Sequence, residues 1–169
     1  MPITTRFWNS YDIDSLIENA GTSDQIWFLN EPGLTAAARE IRARNFIEHT
    51  LLEKPRLCKA IDLEGKAIGD IALKRSTQSF QEHSLEIGYW VGKRYWGKGY
   101  ATEAIKQMVD YAFSNLPEVR RITARTFWSN LGSRRALEKA GFTLEARFKE
   151  AIRINGVYDD EAAYTIWRP

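Results

Sequence analysis

Cysteine and histidine are scarce in this chain of 169 residues, and their scarcity excludes several classes of protein. Cys58 is the only cysteine, so no disulfide can form within the chain and a cysteine-based metal cluster is excluded. His49 and His83 are the only histidines, which leaves too few ligands for a structural zinc site. We therefore expect no metal.

Long apolar runs and a strong net charge are also missing. No apolar stretch approaches the roughly 20 residues that span a bilayer, and the first six residues lack the apolar run of a signal peptide. The net charge of +2 is too small to indicate binding to nucleic acid or to an anionic membrane. With 44% apolar residues, we expect one cytoplasmic globular domain over residues 1–169.

The hydrophobic pattern predicts a mixed fold. Strands are predicted at Ile3–Trp8, Leu57–Leu63, Lys66–Lys74, Ser84–Val91, Arg121–Phe127, Phe142–Ile154 and Val157–Trp167. Helices are predicted near Asp12–Ala20, Thr35–His49, Gly99–Asn115 and Ser133–Ala140. Antiparallel hairpins are expected at both ends, the last one turning at Asn155-Gly156. The strand–helix–strand segment between them predicts a right-handed crossover between parallel strands.

A glycine-rich basic loop separates the strand ending at Val91 from the helix that begins near Gly99. Gly97 and Gly99 allow a tight turn and a close approach of the backbone to a ligand. The first turn of the helix offers N–H groups without intrahelical partners, and Arg94 and Lys98 add positive charge. Phosphate or pyrophosphate suits such a loop. An ordinary glycine loop with solvated basic residues is the alternative.

Two familiar phosphate motifs do not fit this loop. A Walker A loop needs Gly-Lys-Ser/Thr after a four-residue gap, and the sequence has no such run. The run that begins at Gly97 starts like a dinucleotide fingerprint but lacks the third glycine, and Glu118 lies before the next strand rather than at its end. A nicotinamide-dependent oxidoreductase is therefore disfavoured.

Three motifs in order resemble the GNAT acyltransferase superfamily. Arg94-Tyr95-Trp96-Gly97-Lys98-Gly99 resembles its Arg/Gln-x-x-Gly-x-Gly/Ala pyrophosphate loop, and Leu85–Val91 looks like the preceding strand. The run from Trp96 to Ala104 is similar to the ribosomal-protein N-terminal alanine acetyltransferases. Asn130-Leu131-Gly132-Ser133, followed by Gly141-Phe142, matches the downstream block of the superfamily.

The resemblance implies a fold, a donor substrate and binding residues. The fold would be an α/β (α+β) one: a mixed, mostly antiparallel sheet of six to seven strands with helices on both faces and central strands splayed around the cofactor. Acetyl-CoA would be the acyl donor. The implied cofactor-binding residues are Trp90, Val91, Arg94, Tyr95, Trp96, Gly97, Lys98, Gly99, Tyr100, Ala101 and Asn130. Among these, a backbone N–H near Val91 would polarise the thioester carbonyl.

Proton handling departs from the superfamily pattern. The tyrosine that many members use to protonate the leaving thiolate is replaced by Leu137. In the N-terminal acetyltransferase subgroup the acid maps to Ser133 and the base to Glu145. Helix capping is the alternative role for Ser133, and Glu145 has the alternative of a solvated strand carboxylate. Glu86 is a further candidate to hold or deprotonate the amine, with a cross-strand ion pair as its alternative.

The acceptor is less well defined than the donor. A protein N-terminal α-amine is expected, with a small-molecule amine or a non-catalytic acyl-CoA-binding module as alternatives, and a homodimer is possible. Aromatic residues that could line the acceptor pocket are Trp27, Phe28, Trp96, Trp128 and Tyr158, with a place in the core as the alternative for each. The acidic run Asp159–Glu161 could attract a polyamine or form a solvated turn.

Overall fold

Seven strands form one sheet in the computed structural model, which describes residues 2–20, 29, 31, 33–53, 57–75, 81–154 and 156–169. The strands are β1 (Thr4–Arg6), β2 (Cys58–Leu63), β3 (Lys66–Arg75), β4 (Ser84–Val91), β5 (Arg121–Phe127), β6 (Thr143–Ile154) and β7 (Val157–Trp167). Their order in the sheet is β1-β2-β3-β4-β5-β7-β6. The predicted mixed, mostly antiparallel fold is confirmed.

Four α-helices are described over their whole length. They are α1 (Ile13–Ala20), α2 (Ala36–Leu52), α3 (Tyr100–Asn115) and α4 (Leu131–Lys139). Thr35 caps α2 as predicted, its hydroxyl accepting from the Ala38 N–H at 3.2 Å. Helix α4 begins at Leu131, two residues before the predicted start at Ser133, because the Asn130 side chain caps it.

The chain divides into two compact units. The first comprises Met1–Ala72 and Tyr89–Tyr100, and the second comprises Leu73–Gly88 and Ala101–Pro169. Strands β3 and β4 each have residues in both units. The expectation of a single domain over residues 1–169 stays a prediction.

The first unit has its core between its strands and the helices α1 and α2. The apolar stripes of the two helices bury Leu16, Ala20, Ala43 and Ile47 together with small residues of β2 and β3. Trp8 enters the same cluster and packs edge-on against Phe46, with ring centroids 5.7 Å apart. The predicted first strand therefore ends early, at Arg6, where the chain turns Trp8 inward.

The second unit contains the parallel step. Ser84–Glu86 pair with Arg121–Thr123, which confirms the predicted parallel crossover. This pairing ends at Glu86, although β4 continues to Val91 and β5 to Phe127. Helix α3 buries the predicted apolar stripe at Ala104, Ile105, Met108, Val109 and Ala112. Asn155 of the predicted last turn lies outside the described residues.

Candidate active site

The end of β4 presents a backbone amide that points away from β3. The Gly92 N–H donates to the Ile68 carbonyl at 2.8 Å, so it points toward β3. In a strand, the N–H and C=O of one residue point to the same edge, and those of the next residue point to the opposite edge. Both groups of Val91 therefore point away from β3. On that side the described pairing of β4 has already ended at Glu86. The Val91 N–H is therefore available to a ligand that lies along the edge of this strand.

The Val91 carbonyl, in contrast, is occupied by a side chain. The indole Nε1–H of Trp96 donates to this oxygen at 2.5 Å. A short turn at Lys93–Tyr95 brings Trp96 back toward the strand, with the Tyr95 N–H donating to the Gly92 carbonyl at 2.9 Å. The sequence resemblance assigned Trp96 to the cofactor, whereas its polar atom contacts the end of β4.

Gly69 on β3 brings that strand unusually close to β4. A Cβ at this position would stand 2.3 Å from the Trp90 carbonyl oxygen and 3.0 Å from the Val91 Cα. Since both are backbone atoms, no side-chain rotation could relieve the clash. Glycine inside a strand often marks such an approach. Gly69 lies within the strand predicted at Lys66–Lys74, and a glycine inside that strand is the sequence signal for this close approach.

The two glycines of the loop have the conformation that the motif requires. Gly97 and Gly99 have φ angles of 74° and 81°, a region that residues with a side chain rarely adopt. No described atom lies within 4 Å of a Cβ placed at either glycine. The loop thus leaves open space directly before Tyr100, where α3 begins with its N–H groups unpaired within the helix. Such a cradle fits a pyrophosphate group.

Positive charge converges on the same loop. Arg94 lies over the Tyr95 ring with its guanidinium carbon 5.0 Å from the ring centroid, and the Lys98 ammonium lies 5.8 Å from that centroid. The Tyr95 ring brings the two cations to the same loop, and Arg94 is also ion-paired with Glu18 at 2.6 Å. Phosphate oxygens bound at the loop would meet both charges.

The last turn of α1 is tied to Arg94. Glu18 accepts from Arg94 at 2.6 Å and from Lys66 at 2.7 Å. These contacts, first Arg94 and then Lys66, lower the pKa of Glu18 to about 2. The buried Asn19 accepts from Arg94 at 3.1 Å and donates to the Ala67 carbonyl at 2.8 Å. This contact could not be predicted from the sequence, because it depends on how α1 packs.

Asn130 and Ser133 come together at the start of α4. The Asn130 Oδ1 accepts from the Ser133 N–H at 3.0 Å and so caps the helix. The amide Nδ2 is the donor that Asn130 has left for a pantetheine arm. Ser133 is half-buried at the third position of the helix, and capping is performed by Asn130. The acid role of Ser133 stays a prediction.

The two candidate bases are both exposed carboxylates in the second unit. Glu145 lies on β6 at a register shift between Leu144 and Ala146, and its nearest cation is Arg121 at 3.8 Å. Glu86 lies opposite Thr123 on β4, with its side chain on the face opposite to the buried Leu85 and Ile87. Leu137, at the position of the usual tyrosine, is fully buried. The base roles stay predictions.

The proposed acceptor aromatics differ in their surroundings. Trp27 and Phe28 lie outside the described residues, and Tyr158 is exposed. The Trp128 ring lies between the guanidinium groups of Arg134 and Arg147, at 3.6 Å and 3.9 Å. Such stacking fixes the indole plane in the segment just before Asn130.

The acidic run on β7 is engaged within its own unit. Asp159 accepts from the Ser129 hydroxyl, Asp160 pairs with Arg147, and Glu161 pairs with Arg125. The backbone N–H of Glu150, and then Arg147, lower the pKa of Asp160. These pairs favour the structural interpretation of the run over a polyamine site.

A buried carboxyl in the first unit was not among the residues predicted from the sequence. Asp70 on β3 accepts from the Trp8 indole at 2.8 Å and from the Cys58 thiol at 3.1 Å, both at the same oxygen. Burial raises the pKa of Asp70 to about 6, and the two donors only partly oppose this effect. Cys58 is buried, and its thiol donates this hydrogen bond.

Comparison with known proteins identifies the class to which this fold and loop belong. Residues 3–143 match the family described as acetyltransferase (GNAT) domain. Because the match covers more than half of the chain, the chain belongs to the GNAT acetyltransferase family. The resemblance drawn from the three motifs is thereby confirmed.

Two curated relatives come from Bacillus subtilis (strain 168). The probable N-acetyltransferase YjcK is 46% identical over 106 residues, which are 63% of this chain and 58% of that protein. The putative ribosomal N-acetyltransferase YdaF is 32% identical over 103 residues, which are 61% of this chain and 55% of that protein. The aligned segment thus spans somewhat more than half the length of each relative.

A solved structure agrees with the fold over nearly the whole chain. The acetyltransferase (GNAT family) from Bacillus anthracis is 26% identical with a TM-score of 0.76, and the match covers 99% of this chain and 95% of that chain. In the described part of the chain no helix is long and apolar enough to cross a membrane. Those same residues contain no group of three potential metal ligands.

Proposed function

We propose that this chain is an acetyl-CoA-dependent N-acetyltransferase that transfers an acetyl group to a primary amine, most specifically a protein N-terminal α-amine. Membership of the GNAT family supports the reaction class. The observation that carries the proposal is the end of β4, where the Val91 N–H points away from β3 beside an open glycine cradle.

Different residues would bind different parts of acetyl-CoA. Gly97, Gly99 and the first turn of α3 would hold the pyrophosphate, with charge from Arg94 and Lys98. Backbone groups of Trp90 and Val91, with the Asn130 amide, would bind the pantetheine arm. The Val91 N–H would donate to the thioester carbonyl oxygen, where negative charge develops during attack.

The acetyl group would pass directly from sulfur to nitrogen. The neutral amine attacks the carbonyl carbon, a C–N bond forms, the C–S bond breaks, and coenzyme A leaves as the thiolate. An acyl-cysteine intermediate is disfavoured because Cys58 is buried and burial raises the pKa of its thiol. The chain itself would supply proximity, carbonyl polarisation and proton transfer.

Three side chains are the candidates for proton transfer. Glu145 or Glu86 would accept the proton that the ammonium group loses before attack. Ser133 would donate its hydroxyl proton to the thiolate and recover the second proton, which the nitrogen loses as it becomes an amide. An α-amine has a reference pKa near 7.7–8.0, against about 10.4 for lysine, so it demands less of a weak carboxylate base. This difference supports an N-terminal acceptor, as does the name of the ribosomal relative YdaF.

The donor site is tested by thermal unfolding with and without saturating acetyl-CoA, on the parent chain and on Gly99→Asp. A ligand at 100 times its Kd adds about 2.7 kcal/mol of stability, which raises Tm by several degrees. Gly99→Asp places a side chain at positive φ and a negative charge in the cradle, so its shift should vanish. A shift with NADH and none with acetyl-CoA would reject the proposal.

The acceptor is tested with three amines at equal concentration. One is a peptide with a free N-terminus, one is the same peptide with a blocked N-terminus and a lysine, and one is a small diamine. We expect acetylation of the first peptide only. Transfer to the diamine alone would identify a small-molecule acceptor, and acetyl-CoA binding without transfer to any amine would favour a non-catalytic module.

A further inference from the structure

The backbone on both sides of Val91 is held by protein contacts within the first unit. Trp96 donates to the Val91 carbonyl oxygen, and the next N–H, of Gly92, donates to Ile68. The preceding carbonyl, of Trp90, lies against Gly69, where even a methyl group would clash. All of these residues belong to the first unit.

We propose that Trp96 and Gly69 are positioning residues that set the direction of the Val91 N–H toward the acyl carbonyl. This inference rests on the proposed function. The Val91 carbonyl belongs to the peptide that links Val91 to Gly92, whereas the Val91 N–H belongs to the preceding peptide. Trp96 restrains the first of these peptides and Gly69 crowds the carbonyl of the second, so together they restrict the direction of the N–H. Gly69 prevents the strand from moving sideways, because the Trp90 carbonyl is already at backbone contact.

The position of Trp96 separates this role from a role in the core. The Trp96 side chain is 58% exposed, so it contributes little to the buried apolar core. Its hydrogen bond nevertheless reaches back five residues to the end of a strand. An exposed indole with its one polar atom turned inward suits the positioning of that strand end.

The test is isotope-edited infrared spectroscopy of acetyl-CoA labelled with ¹³C at the thioester carbonyl. Binding to the parent chain should lower the carbonyl stretching frequency, because an N–H donor polarises the C=O bond. Trp96→Phe keeps an aromatic ring and removes the donor. We expect the variant to lose most of the frequency shift while it still binds coenzyme A, which has no acyl carbonyl.

Trp167→Phe is the matched control. Trp167 is also an exposed tryptophan, at 55%, and it is the last residue of β7, far along the chain from this loop. The control should leave both the frequency shift and the Kd for coenzyme A unchanged. A full shift in Trp96→Phe would overturn the positioning proposal and leave the proposed function standing. A parallel loss of shift and coenzyme A affinity would also overturn it, because Trp96 would then be a binding residue. Absence of acetyl-CoA binding by the parent would instead reject the proposed function.

Discussion

At the residue scale, Gly69 of β3 and Gly88 of β4 differ in the space around them. Gly69 on β3 faces backbone atoms of β4 at 2.3 Å from its missing Cβ, whereas nothing described lies within 4 Å of a Cβ on Gly88. Neither residue has a positive φ. A methyl group added at each position therefore separates the effect of crowding from any general effect of alanine in a strand.

Gly69→Ala should lower the free energy of unfolding by about 1–3 kcal/mol, since an overpacked site must shift its backbone. The corresponding fall in Tm of several degrees can be measured by calorimetry. Gly88→Ala should change Tm by much less. Equal Tm values for the two variants would show that β3 and β4 separate freely at this point, contrary to the close contact described.

At the scale of elements, an ion pair joins α1 to the loop before α3. A pyrophosphate bound at this loop would compete with it for Arg94. Glu18 of α1 takes the Arg94 guanidinium at 2.6 Å, and Arg94 is also a proposed ligand of the cofactor. Both side chains are 47% exposed, so the pair is solvent-screened and modest in strength.

Glu18→Gln should therefore tighten acetyl-CoA binding by up to about fivefold, because it frees Arg94 from a competing carboxylate. Isothermal titration calorimetry gives the Kd directly. Glu40→Gln removes a comparable exposed pair with Arg44 on α2 and should leave the Kd unchanged. Weaker binding in Glu18→Gln would mean that Glu18 holds Arg94 in place for the ligand rather than competing with it.

The elements themselves were largely predictable, because their signals are local. Apolar spacing predicted α3 to within one residue, and β4 and β5 were predicted with the correct ends. The positive φ angles of Gly97 and Gly99 agree with the loop motif. Contacts between distant segments were not predictable. Periodicity does not indicate which side chain Arg94 contacts. Asp70 is, in sequence, only one polar residue within an apolar strand, so its buried contacts could not be predicted.

At the scale of the whole molecule, Asp70 couples folding stability to pH. Its pKa is raised to about 6 in the folded chain, against a reference value of 3.8. The folded state therefore holds this proton more tightly than the unfolded state. The contribution to stability is complete below about pH 4 and is lost as the pH rises through about 6.

Asp70→Asn should remove this pH dependence, because the amide can accept the same two hydrogen bonds and does not ionise. The difference in unfolding free energy between variant and parent should become more favourable to the variant by about 2 kcal/mol between pH 4 and pH 8. Urea unfolding at the two pH values measures it. The exposed Asp110→Asn serves as the control, and a difference for Asp70→Asn that is constant with pH would contradict the assignment.

The burial of Cys58 has a practical consequence for assays. Each transfer of an acetyl group releases the free thiol of coenzyme A, which colorimetric thiol reagents detect. Such reagents attack thiolates, whereas Cys58 is 8% exposed and its pKa is raised by burial and then by the neighbouring Asp70. The folded chain therefore adds almost no colour of its own, so turnover can be followed continuously, and any slow colour in the absence of donor reports unfolding instead.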